Sequence, residues 1–213
     1  MGGHEGIVRV LLQQKDLNPN TPDAKYGRTL LWSAAGGGYE GIVQLLLERD
    51  DINPNIPNTT HNQTPLLLAA VIGHEGVVKL LLERKDIYPN TADAKYGRTP
   101  LWWAAWGGHE IVVNLLLERE DINPNTTDTQ YGETLLWAAA MGGHEGVVGA
   151  LLQRKDLNPD APDAENGRTP LWSAVGRGYE RVVQLLLERD DIVECCRVRV
   201  TTLKRIVEST RWC

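Results

Sequence analysis

The sequence predicts an all-α solenoid of helix-turn-helix units with a period of 35 residues, and three phrases in one register predict it. The first is Gly-x-Thr-(Pro/Leu)-Leu, whose threonines are Thr29, Thr64, Thr99, Thr134 and Thr169, each 35 residues after the last, with Asn62 in place of Gly in one copy. The second is Gly-(His/Tyr)-Glu, beginning at Gly3, Gly38, Gly73, Gly108, Gly143 and Gly178. The third is Asp-(Ile/Leu)-Asn-Pro-Asn at Asp16, Asp51 and Asp121, with one change each at Asp86 and Asp156. Composition agrees with copying from one unit. The chain holds 7 Trp and no Phe among 213 residues, as copies of a Phe-free unit would.

Within a unit, Thr99 serves as helix cap and Pro100 takes the first helical position, where its missing N–H costs nothing. Leu101, Ala104 and Ala105 recur at i, i+3 and i+4, a narrow face of small residues that lets neighbours approach closely. Gly107-Gly108 ends this first helix and permits a tight reversal. Glu110 falls in the first turn of a second helix, where the dipole favours a carboxylate. Val112, Val113, Leu115, Leu116 and Leu117 supply its apolar side, and Asn-Pro-Asn stops it. One such unit cannot bury its apolar face alone, but stacked units can.

These residues resemble the ankyrin repeat: Gly-x-Thr-Pro-Leu-x-x-Ala-Ala, then Gly-His-Glu, then Val-x-Leu-Leu-Leu and Asp-Ile-Asn. The resemblance covers residues 1 to about 192. The period of 35 exceeds the family's ~33, with one extra residue in the Asp93–Gly97 turn and one after the second helix. Where the family carries His after Pro-Leu, this chain has Trp32, Trp102, Trp137 and Trp172, with Leu67 in one unit. Near-identical units with Trp-rich first helices also resemble the sensor arrays of fungal NOD-like receptor proteins, although no nucleotide-binding module accompanies them in this chain.

Residues 1–20 match only a second helix and its loop, so the array starts with a half unit. Units then run 21–55, 56–90, 91–125, 126–160 and 161–192. The tail 193–213 departs from the pattern and is either a distinct cap or foreign sequence. Within it, Thr202 can cap a short helix carrying Leu203, Ile206 and Val207 on one face. The tail has five basic and two acidic residues, leaving 17 basic against 26 acidic, a charge of −9, on the array.

Charge and chemistry exclude several functions. A whole-chain charge of −6 argues against nucleic acid or an anionic membrane as partner. No apolar run approaches the ~18 residues of a membrane span. The apolar part of the first 15 residues is too short for a secretory signal, and Gly6 stands where myristoylation wants Ser or Thr. All three Cys (Cys195, Cys196, Cys213) lie in the tail, which fits a reducing, cytoplasmic setting. His4, His74, His109 and His144 share one repeat position. They therefore lie about 10 Å apart, too far to share a metal held at about 2 Å. They read instead as anchors of the inter-helix turn. Neither a phosphate-binding loop nor a nucleophile motif is present, so the expectation is a protein that is not an enzyme and needs no cofactor.

The informative positions are those at which near-identical units differ. Residues 23–57 and 93–127 differ at 10 of 35 places, among them Ser33 against Trp103 and Gly36 against Trp106. In the ankyrin family the turn tips and first-helix surface form a concave binding face. Carried onto this chain, that face comprises Tyr26, Arg28, His61, Leu68, Val71, Tyr96, Arg98, Trp103, Trp106, Tyr131, Met141 and Arg168. The middle units are bulky and apolar there, while the outer two are small or polar, as a docking centre with a polar surround would be. Trp103 and Trp106 equally admit a packing role. The function expected is binding another protein, with a self-assembling scaffold joined through exposed array ends as the alternative.

Overall fold

The computed structural model describes residues 5–14, 17–189 and 192. The tail helix expected around Thr202, and the three cysteines, lie outside the described residues. Eleven α-helices make up the described array. A lone helix α1 (Glu5–Leu12) is followed by five pairs: α2 (Leu30–Gly36) with α3 (Glu40–Leu47), α4 (Pro65–Ile72) with α5 (Glu75–Leu82), and α6 (Pro100–Gly107) with α7 (Glu110–Leu117). After these come α8 (Leu135–Gly142) with α9 (Glu145–Leu152), and α10 (Pro170–Arg177) with α11 (Glu180–Leu187). No strand occurs among the described residues beyond an isolated bridge between Thr127 and Thr134.

Every first helix starts in the same way. The hydroxyls of Thr29, Thr64, Thr99, Thr134 and Thr169 accept the backbone N–H three residues on, at 3.0–3.2 Å. Pro65, Pro100 and Pro170 open their helices where no donor is needed. The first helices end on a glycine in left-handed conformation, such as Gly108 at φ 72°. A side chain at Gly108 would strike the His144 ring of the next unit. Glycine is therefore required there by both backbone conformation and close approach.

The core is a continuous column running the length of the stack. Leu31, Leu66, Leu101, Leu136 and Leu171 are at most 1% exposed, as are the paired alanines of α4, α6 and α8. Alanine pairs draw the first helices together, and these approach one another more closely than the second helices do. The first helices and loop tips accordingly form the more closely packed, inner side of the stack.

Neighbouring units are also tied by polar contacts that repeat down the array. Arg49, Arg84, Arg119 and Arg154 each pair with the aspartate two residues on and donate to a carbonyl of the preceding unit: Leu12, Leu47, Leu82 and Leu117. Asn20, Asn55, Asn90 and Asn125 donate forward to the carbonyls of Asp51, Asp86, Asp121 and Asp156. The asparagines expected only to stop a helix are therefore links between units. His74, His109 and His144 reach back to the carbonyls of Gly36, Val71 and Trp106 at 3.0–3.1 Å, each anchoring its turn to the previous unit.

Helix α1 lacks a first-helix partner among the described residues. Ile7 is 59% exposed, where its equivalents Ile42, Val77, Val112, Val147 and Val182 are at most 7% exposed. Leu11 is 40% exposed, where Leu46, Leu81, Leu116, Leu151 and Leu186 are fully buried. Local stability in such a stack follows the neighbours each unit has. Amides of α1 should therefore exchange with deuterium at least tenfold faster (~1.4 kcal/mol less protection) than those of α5 and α7. Equal protection, measured by peptide-resolved mass spectrometry, would contradict this account.

Candidate functional site

The inner face is assembled from five loop tips and the first helices behind them. At each tip an acidic or amide residue folds the turn around itself. Asp93 Oδ1 accepts the N–H groups of Lys95 and Tyr96 at 2.9 and 2.7 Å, and Asp128 does the same for Gln130 and Tyr131. Asp23 and Asn58 organise the first two tips likewise. Successive tips are joined by backbone bonds, with Thr59, Ala94, Thr129 and Ala164 donating to the carbonyls of Tyr26, His61, Tyr96 and Tyr131 at 2.7–3.0 Å. The tips thus form one backbone-linked rim. Asp93, Asp128 and Asp163 are buried against the turn amides, as is Asn58, while Asp23 remains exposed.

The third unit differs from the rest. Trp102 is fully buried, and its indole N–H donates to the Glu133 carbonyl of the following unit. Trp106 stacks on it with ring centroids 5.7 Å apart and planes 15° from parallel, yet remains 43% exposed. Trp103 meets Trp102 edge to face at 5.5 Å, and its own N–H donates to Asp93 Oδ2 at 2.8 Å. Trp103 therefore braces a tip against its helix, with part of its ring showing. Val71 and Met141 occupy the position of Trp106 in the adjoining units and are half-buried, while Ile72 is 44% exposed. Leu68 is also half-buried, lying over Gly36 of the unit before it. Together these residues make an apolar strip centred on Trp106.

Arg98 does not belong to the outward contact surface expected for it. Its side chain is only 11% exposed, with the guanidinium 3.7 Å over the Trp102 ring and 4.5 Å over Tyr96. It pairs with two carboxylates of the next unit, Asp128 at 3.2 Å and Glu133 at 3.0 Å. Its charge is neutralised inside the array. Arg28, by contrast, stacks on Tyr26 and Trp32, and the next unit offers neutral Asn58 and Gln63 at the corresponding positions. Arg168 is 35% exposed, bonded to Asp163 and 5.4 Å over Trp172. Of the remaining expected contacts, His61 is exposed and Tyr26, Tyr96 and Tyr131 are half-buried on the rim. The tryptophans at the family's His position pack as expected in mid-array, where Trp137 is 5% exposed, but Trp172 of α10 is 45% exposed.

Reading the sequence for site residues missed the Arg98–Asp128–Glu133 cluster. Its signal lay in the Gly-x-Thr position, which runs Arg28, Gln63, Arg98, Glu133, Arg168, so one acidic copy stands between two basic ones. Burial raises the Glu133 carboxyl to about 7, helped by its hydrogen bond to Asp128 and by the charges of Asp128 and Asp163, against the pull of Arg98. Burial also pushes Asp128 upward, but the Tyr131 N–H and hydrogen bonds from Glu133 and Arg98 outweigh it and leave Asp128 below its ordinary value.

The chain belongs to the ankyrin-repeat family. The model described as "Ankyrin repeats (3 copies)" matches residues 52–128 and 113–195, and that described as "Ankyrin repeat" matches 26–59. No curated protein matches the chain. Ankyrin repeats are generally non-catalytic modules that bind other proteins, and no described helix is long and apolar enough to cross a membrane.

Because the folded state raises Glu133 to about 7, it binds more protons than the unfolded chain between the ordinary carboxyl value and that point. This contribution to stability is therefore greatest at low pH and is lost as pH rises through about 7. Glu133→Gln places there the residue that unit two already carries as Gln63. The variant should melt about 2–4 °C higher than the parent at pH 8, the shift of ~1 kcal/mol in a domain of this size, and about the same at pH 5. Parallel melting curves from pH 5 to 8 for parent and variant would refute this assignment.

Proposed function

We propose that the chain is a non-catalytic binding module that takes another protein on its inner face, with Trp106 as the central anchor. The observation that carries this reading is the 43% exposure of Trp106. A large aromatic ring is held rigidly by stacking on buried Trp102, so little conformational entropy remains to be lost on contact. The surrounding contacts are Trp103, Leu68, Val71 and Met141 on the first helices, with Tyr26, Arg28, His61, Tyr96, Tyr131 and Arg168 along the rim. Arg98 supports this surface from behind and does not touch the partner. Sequence resemblance to fungal NOD-like receptor arrays, together with near-identical units that vary on this face, supports a role as the sensor array of a cytoplasmic, immune-type receptor.

A second reading rests on the exposed apolar residues of α1, where Ile7, Val10 and Leu11 are 59%, 61% and 40% exposed. Through this end the arrays would self-associate. Light scattering that stays monomeric across a hundredfold concentration range would remove that reading.

Parallel pull-downs with the parent chain and with Trp106→Ala test the first. Loss of this ring should weaken capture of a specific partner by ~2 kcal/mol or more, about thirtyfold, with an unchanged melting temperature. Equal capture by both baits would refute the anchor. A large fall in melting temperature would assign Trp106 to the core.

A further inference from the structure

The charge on the first three tips runs opposite to the charge of the array: Lys25, Arg28, Lys95 and Arg98 stand there against Asp23 and Asp93. The repeats carry −9 in total, but many of their carboxylates lie on the second helices, away from the tips. Glu40, Glu75, Glu110, Glu145 and Glu180 open the second helices, and Glu48, Glu83, Glu118 and Glu188 close four of them. Each tip aspartate accepts N–H groups of its own turn, and Asp93, Asp128 and Asp163 are buried there while Asp23 stays exposed. What the first three tips present outward is mostly cationic. Lys25 and Lys95 are exposed, each with its ammonium 4.6 Å over the ring of the tyrosine beside it, and Arg28 stacks between Tyr26 and Trp32. Exposed His61 stands between these tips. Arg177 adds a further exposed cation at the end of α10, and the exposed carboxylates at the tips are Asp23, bonded to the amides of its own turn, and Glu165 of the fifth tip.

We infer that the partner on this face is an acidic peptide segment, laid across the first three tips with an apolar side chain seated on Trp106. The inference rests on the inner face being the binding face and adds the partner's chemistry. Tips two units apart are roughly 20 Å apart at the ~10 Å spacing of packed helices. An extended segment of about six residues spans that distance. Its carboxylates meet Lys25, Arg28 and Lys95, whose aromatic neighbours hold the cations in place and lower the cost of fixing them. Arg98 contributes no attraction, because Asp128 and Glu133 already neutralise it. The acidic remainder of the array repels the same segment elsewhere, so charge selects the face as well as the ligand.

The test uses the full chain and three fluorescein-labelled peptides, each with one leucine between two runs of glutamate, lysine or serine, followed by anisotropy. The glutamate peptide should bind, and the lysine peptide should not. Affinity for the glutamate peptide should fall about tenfold or more between about 50 and 300 mM salt. Lys25→Glu combined with Lys95→Glu should weaken binding at least tenfold without moving the melting temperature, since both ammonium groups are exposed. Equal or tighter binding of the lysine peptide, no binding of the glutamate peptide, or indifference to the double charge reversal would overturn the inference. So would tighter binding of a single-stranded DNA of equal charge. Trp106→Ala separates this inference from the reading beneath it. If the serine peptide binds through Trp106 while charge reversal has no effect, the face stands and the acidic partner falls. If the glutamate peptide binds and charge reversal abolishes it while Trp106→Ala has no effect, the seat on Trp106 falls, and with it the anchor.

Discussion

A 35-residue unit of two eight-residue helices cannot close its own hydrophobic surface, and the rest of this molecule follows from that constraint. Each interior first helix has apolar residues on nearly every side, so it is sandwiched between two others. Each second helix covers the back of its own first helix. Polar groups obey the same rule. The arginine of one loop bonds a carbonyl of the unit before it, the asparagine bonds a carbonyl of the unit after it, and the histidine of each turn reaches back to a first-helix carbonyl. Nearly every tie runs between sequence neighbours one unit apart, so the same interaction can be copied indefinitely without redesign.

That copying separates structure from function. Threonine caps, glycine reversals, paired alanines and buried leucines are fixed by contacts that recur in every interior unit. The positions left free to vary are those on the rim and on the exposed flank of the first helices. A change there leaves the column intact. Unit three illustrates this freedom. Relative to unit one it replaces Ser33 by Trp103 and Gly36 by Trp106, and the two indoles are accommodated without disturbing Leu101 or the Ala104-Ala105 pair. Their surroundings are then made compatible: Trp102 supplies a stacking surface, Asp93 accepts the Trp103 N–H, and Arg98 spans three aromatic faces.

The Arg98 cluster is also the place where the units stop being interchangeable. An arginine at the Gly-x-Thr position is a candidate outward cation when its neighbour is neutral, as with Arg28 beside Asn58 and Gln63. Beside Asp128 and Glu133 the same residue type becomes an internal brace. Two carboxylates and one guanidinium then share a space with little water, which is why one carboxyl holds its proton to about neutrality. Identity in the repeat pattern therefore does not imply identity of role.

The fold was legible in the sequence because its determinants are local and repeated. Thr99 capping the Trp102 N–H and Gly108 adopting a left-handed turn are decided within a few residues, and the period reveals them five times over. The stacking of units was legible too, since an array of amphipathic helix pairs has one way to cover its apolar faces. The candidate site was legible only as a set of positions. Residue type and spacing placed Trp103, Trp106 and Arg98 on one face, but which of them is exposed depends on side chains 30 to 35 residues away. Tertiary packing decided that Trp106 shows its ring, that Trp103 is tied to Asp93, and that Arg98 is consumed between two units. The physical reason is that burial and charge neutralisation are properties of neighbours in space, whereas capping and helix periodicity are properties of neighbours along the chain.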